Sequence, residues 1–163
     1  MITIFLRSAS AAALSLLLLA LPVLAAFDSD LSINSTPLQF APESGVIAGQ
    51  KIRIYSTVQN NGNADLIGTV KFFVDGGQIS TDQPVSVKQG SIPDEVFIIW
   101  PAAPGQHTVT AQLYPYEREG DNPANNLIAK ELFVDWDTDG DGIGNAVDTD
   151  DDNDGLSDVE EQG

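Results

Sequence analysis

Hydrophobic residues in the stretch 30–134 come in short alternating runs separated by Gly, Pro and Asn. Within residues 51–58, Ile52, Ile54 and Val58 fall on one parity, and Lys51, Arg53 and Thr57 on the other. Val70, Phe72 and Val74 alternate in the same way, as do Val96, Ile98 and Trp100, and then Val109, Ala111 and Leu113. A period of two puts each set on one side of an extended strand, so these runs predict strands that share one buried face. Weaker strands are expected at residues 31–33, 84–88 and 127–134. In the last, Lys130 interrupts one parity and Glu131 the other. Asn60-Asn61-Gly62-Asn63 and Asp75-Gly76-Gly77 supply residues that tolerate positive φ, while Pro101 and Pro104-Gly105 stop the strand carrying Trp100. The predicted class is all-β, an antiparallel sandwich, and about 108 residues suffice for its core without covalent staples.

The alternation ends at Val134, and residues 137–161 repeat themselves with a step of thirteen. Asp137 falls on Asp150, Asp139 on Asp152, Asp141 on Asp154, Gly142 on Gly155, Asn145 on Asp158 and Asp148 on Glu161. Oxygen-bearing side chains at loop positions 1, 3, 5, 9 and 12, with Gly at 6, are what a chain needs to wrap a hard cation. Ca²⁺ takes six to eight oxygens, and position 7 adds a backbone carbonyl, here from Ile143 or Leu156. Asp148 is one methylene shorter than Glu161, so the first loop is expected to bind more weakly than the second. Only Thr149 separates the loops, which leaves no room for the flanking helices of an EF-hand. The competing reading is a solvated acidic tail. A random acidic run has no reason to place Gly at both sixth positions, and metal binding is the expectation. Without metal, twelve acidic side chains from Asp135 onward, with no Lys or Arg among them, repel one another into an unfolded strand.

In spacing, residues 137–161 resemble the thrombospondin type 3 repeat, in which acidic D-x-D-x-D-G loops stack as a calcium-filled stalk. The cysteines of animal members are absent here. The resemblance implies calcium ligands at Asp137, Asp139, Asp141, Asn145 and Asp148, then at Asp150, Asp152, Asp154, Asp158 and Glu161. The middle of the chain resembles CARDB, the cell-adhesion-related domain of bacteria. The likeness lies in Asn61-Gly62-Asn63-Ala64, Phe73-Val74-Asp75-Gly76, Val96-x-Ile98-x-Trp100, Gly105-Gln106-His107, and Asp121-Asn122 with Asn125-Asn126. That resemblance implies an immunoglobulin-like fold and a spacer or adhesion role on surface proteins, with no catalytic centre.

Composition narrows the function classes. The formal charge is −17, yet the acids divide evenly between residues 27–134 and the stretch after them, and six of the seven basic residues lie in 27–134. The sandwich is thus only mildly acidic, and no basic patch suits nucleic acid. With no cysteine there is neither a disulfide framework nor thiol chemistry. Arg7 is followed by an apolar run over residues 9–26 with small residues at its exit, the pattern of a secretory signal cleaved after Ala25 or Ala26. The alternative is an uncleaved membrane anchor. The expected organisation is a signal peptide at 1–26, a sandwich at 27–135 and calcium repeats at 136–163, in a secreted or cell-surface protein that leaves the membrane after cleavage. Repeats of this kind usually continue in the family resembled, so the chain reads as a piece of a longer protein or as a small secreted one.

His107, the one histidine, is expected on the inward side of its strand as a cap on the core edge. Glu117, Glu119 and Asp121 cluster beside Arg118, but no pocket-forming residues accompany them, so they read as solvated rather than catalytic. Tyr114, Tyr116, Asp121 and Asn125 form a candidate contact surface, and Trp136 is expected to pack where sandwich meets repeats when calcium is bound. Three roles follow: a calcium-stiffened, non-enzymatic adhesion or spacer module, a domain that grips a glycan or another surface protein through its loops, or an accessory piece of a secreted hydrolase.

Overall fold

A computed structural model describes residues 28–162, and the expected signal peptide lies outside them. Nine strands follow in order: β1 (Leu31–Ser32), β2 (Gln39–Ala41), β3 (Lys51–Asn60), β4 (Leu66–Val74), β5 (Gly77–Gln78), β6 (Gln83–Val87), β7 (Asp94–Pro101), β8 (Gly105–Pro115) and β9 (Leu127–Val134). In one sheet β3 is central, with β7 on one edge and the short β1 and β2 sharing the other. The second sheet runs from β6 and β5 through β4 and β8 to β9. Every strand pair is antiparallel, and the two sheets face each other as a sandwich.

The core is what the alternation predicts. Ile52, Ile54 and Val58 of β3 meet Val96, Ile98 and Trp100 of β7, and Val70 and Phe72 of β4 meet Val109, Ala111 and Leu113 of β8, all buried. Strand ends have local causes. At the end of β3, the Asn60 side chain donates to the carbonyls of Ala64 and Val87, each at 2.8 Å, and accepts from the Gly62 N–H at 2.9 Å. That side chain replaces the next ladder bonds and turns the chain. Between β4 and β5, Asp75 (φ 49°) and Gly76 (φ 81°) both lie in the left-handed region, as a tight two-residue hairpin requires.

Two features do not follow from the alternation. The ambiguous last strand resolves with Leu132 and Val134 inward, which leaves Lys130 on the core parity. Its ammonium escapes burial among apolar groups by donating to the Leu38 carbonyl at 3.0 Å and lying 4.8 Å from the centre of the Phe40 ring. The second lies in the repeats, where a single helical turn, α1 (Asp158–Glu161), forms inside the second loop rather than beside it. Glu160 accepts from both the N–H and the hydroxyl of Ser157, at 3.0 and 2.8 Å, which starts that turn.

Candidate metal centre

The thirteen-residue step of the sequence is also a step in the backbone. Gly142 and Gly155 lie at φ 95° and 93°, and Gly140 and Asn153 at φ 80° and 56°. The N–H of Asp141 donates to Asp139 at 3.1 Å, and that of Asp154 to Asp152 at 3.2 Å. The N–H of Ile143 donates to Asp141 at 2.8 Å, and that of Leu156 to Asp154 at 2.9 Å. Asn145 accepts from the Thr138 N–H at 3.1 Å, as Asp158 does from the Asp151 N–H at 2.9 Å. Even the closing turns agree: the N–H groups of Val147 and Asp148 reach the Gly144 carbonyl, and those of Glu160 and Glu161 reach that of Ser157.

These bonds turn alternate acidic side chains inward. Carboxylate oxygens of Asp137, Asp139 and Asp141 lie within 4.8 Å of one another, and those of Asp150, Asp152 and Asp154 form a second group to the same limit. Three carboxylates so close repel strongly and favour any cation that enters between them. Glu161 stands near the second triad. The charge of Asp152, with burial and then Asp154, Asp158 and Asp150 behind it, pushes its carboxyl above the usual range. Asp148 has its Oδ1 engaged by the N–H groups of Thr149 and Asp150, at 2.6 and 3.1 Å. Asn145 and Asp158 brace their loops through Oδ1, and the Asn145 amide also donates to Thr138 Oγ1 at 2.8 Å and to Asp151 at 3.0 Å. The Asn153 side chain bonds to Asp139, so each loop reaches the other. The side chains of Ile143 and Leu156 are about half exposed.

Asp135, which sequence reasoning missed, ties the loops to the sandwich. Its N–H donates to the Val46 carbonyl at 2.8 Å and its carbonyl accepts from the Ala48 N–H at 2.9 Å, while Oδ2 accepts from the Ala146 N–H at 3.0 Å. A signal for it was present, since the repeat step carried back by one turn sets Asp135 on Asp148. Trp136, expected to pack at this junction in the calcium-bound state, is 54% exposed. An apolar groove of about 450 Å³ takes that place, lined by Val46, Ile47 and Phe133 from the sandwich and Ile143, Ala146 and Val147 from the first loop.

His107 does sit at the core edge. Its ring meets Trp100 edge-on at 5.3 Å and contacts Asp75 and the Ala103 carbonyl.

The CARDB family matches residues 28–126, more than half of the chain. The chain belongs to the CARDB family. Its sandwich is similar in fold to the CARDB domain of a Pyrococcus furiosus protein, whose crystal structure is of a complex with di-metal ions. The two share 17% identity over 65% of this chain and 88% of that one, with a TM-score of 0.51. A solution structure of the same Pyrococcus domain gives 16% identity over 65% of this chain and 96% of that one, TM-score 0.47. The fibronectin(III)-like modules of Clostridium thermocellum CbhA give 17% identity over 65% and 97%, TM-score 0.38. No curated protein matches the chain. The CARDB match ends before β9 and the acidic loops.

Proposed function

We propose that the chain is an exported, non-enzymatic calcium-binding module, in which a CARDB sandwich carries an arm stiffened by two Ca²⁺ ions and serves as an adhesion or spacer unit of a surface or secreted protein. The observation that carries this reading is the duplicate geometry of the two acidic triads. Disordered acidic tails have no cause to repeat the same φ values and side-chain-to-backbone bonds thirteen residues apart.

The donor set suits the ion. Every side-chain donor is oxygen, with no thiolate or imidazole to favour a softer metal. Asp137, Asp139 and Asp141 would hold the first ion with the Ile143 carbonyl and Asp148. Asp150, Asp152 and Asp154 would hold the second with the Leu156 carbonyl and Glu161. Asn145 and Asp158 stand at the ninth positions, where a bridging water commonly completes such a loop. The bound ions would offset the like-charge repulsion, which makes order in the arm a consequence of calcium rather than of a hydrophobic core. The resemblance to thrombospondin type 3 repeats supports the same reading.

Calorimetric titration of the chelator-treated chain with CaCl₂ tests it. Binding is expected in roughly the 10⁻⁴–10⁻³ M range of extracellular modules, with Mg²⁺ weaker. Asp139→Asn combined with Asp152→Asn should remove the two ions of the arm, and unchanged heats in that variant would sink the proposal.

A further inference from the structure

The segment between β8 and β9 folds over residues 29–33 and carries a second kind of oxygen cluster. Asn122 accepts from the Ala124 N–H at 3.2 Å and opens a 3₁₀ turn, Pro123–Asn125. That turn presents Asn125 and Asn126 to two carboxylates, Asp30 and Asp121. Asp30, only 5% exposed, accepts from Asn61 at 2.9 Å, from the Asn122 N–H at 3.1 Å, and from Asn125 at 3.1 Å on each oxygen. All three donor groups are neutral. Asp121 accepts from the Asn126 amide at 2.7 Å through Oδ2. Its Oδ1 is buried and meets no donor, and the same holds for Oδ1 of Asn125 and of Asn126, the latter residue 8% exposed.

Folded chains keep few buried acceptors of this kind, because each one costs roughly 1–3 kcal/mol. The charges are equally unbalanced. Among the described residues the ion pairs are Lys71 with Asp82 and His107 with Asp75, so neither Asp30 nor Asp121 has a cationic partner. Burial, and after it the neighbouring Asp30, push the Asp121 carboxyl above its usual range, against the bonds from the Asn126 amide and the Leu31 backbone. Asp121 and Asn126 both line a pocket of about 380 Å³ that opens between Tyr114 and Arg118, so the cluster has a way in from solvent.

We infer that Asp121, Asn126 and Asn125 form a cation site within the sandwich itself, one that takes a hard divalent ion such as Ca²⁺ and is separate from the arm. One carboxylate and two amide oxygens, with water from the pocket, make an all-oxygen donor set. Turning the Asn126 amide over would place its oxygen beside Asp121 with the ion between them. Arg118 lines the same pocket without pairing to Asp121, and it is the built-in competitor for that carboxylate.

The test uses the full chain with the arm silenced by Asp139→Asn and Asp152→Asn, melted in chelator and in about 5 mM CaCl₂. The sandwich transition is expected to rise by roughly 4 °C, from an affinity near 10⁻³ M. Adding Asp121→Asn removes the shift, and so does Asn126→Ala, which decides the matter if the first variant fails to fold. Arg118→Ala enlarges the shift. Identical melting of the silenced-arm chain with and without calcium overturns the inference, as does a shift that survives both Asp121→Asn and Asn126→Ala.

Discussion

Oδ2 of Asp135 accepts the backbone N–H of Ala146 at 3.0 Å, while the main chain of Asp135 is bonded to Val46 and Ala48 in the sandwich. One residue thus belongs to both parts. A Cβ at Gly144 would come within 2.9 Å of the Asp135 carboxyl carbon, so glycine there lets the first loop settle onto the carboxylate. Asp135→Ala should release the arm while its backbone bonds keep the strand end in place. A hydrogen bond to a charged acceptor contributes about 1.5–3 kcal/mol. Amide exchange at Ala146 is therefore expected to quicken roughly ten- to a hundredfold with little change in sandwich melting. Unchanged exchange would mean that the apolar groove alone holds the arm.

Much of this architecture is legible in the sequence, for a physical reason. β3, β7 and β8 are long, and a period of two over many residues admits one inward face. β2 escapes notice because three residues, with only Phe40 buried, carry no period. The parity of β9 was hidden by Lys130, whose charge is met by a carbonyl and a ring from a distant part of the chain. In the arm, spacing identifies the acidic triads but does not reveal that Asn145 and Asp158 brace their loops, since the same residue type at the same position serves either role. Asp30 and Asn125 come together only through folding, ninety-five positions apart.

Lys130→Met tests the account of β9. It keeps the apolar stem but leaves the Leu38 carbonyl without a donor and removes the charge over Phe40. A loss of about 1–3 kcal/mol is expected in urea unfolding. No loss would show that the ammonium is merely solvated at the sheet edge.

His107 gives the sandwich a pH response. Its Nδ1 lies 2.7 Å from Asp75 and its Nε2 2.8 Å from the Ala103 carbonyl, so both ring nitrogens face acceptors and the imidazolium satisfies both. Burial pulls its pKa down, but the Asp75 hydrogen bond and charge, with the carbonyls of Ala103 and Pro104, outweigh this and leave it raised above 6.5. The folded state therefore holds the proton more tightly than the unfolded one. That stabilisation is complete below about pH 6.5 and is lost as pH rises through the folded value. Melting temperature should fall between about pH 6 and 8 in the native chain and stay flat across this window in His107→Gln. Equal slopes in the two chains would contradict the pairing.

Gly142 and Gly155 are open to substitution in space but not in backbone angle. A Cβ at either meets nothing within 4 Å, yet φ is 95° and 93°. Alanine at one position should cost about 1–2 kcal/mol and weaken calcium binding in that loop roughly five- to thirtyfold. Calorimetry on each single variant should show one affinity changed and the other preserved. Two unchanged affinities would remove the sharp turn from the account of binding.

Site-resolved amide exchange across the whole chain, once in chelator and once in millimolar calcium, probes the proposed role most directly. The account predicts that the Ile143 and Leu156 amides, which donate into the acidic triads, are protected at least tenfold more in calcium than in chelator, while amides of β3 and β8 stay strongly protected in both. Equal exchange at Ile143 and Leu156 under the two conditions, whether fast or slow, would contradict it.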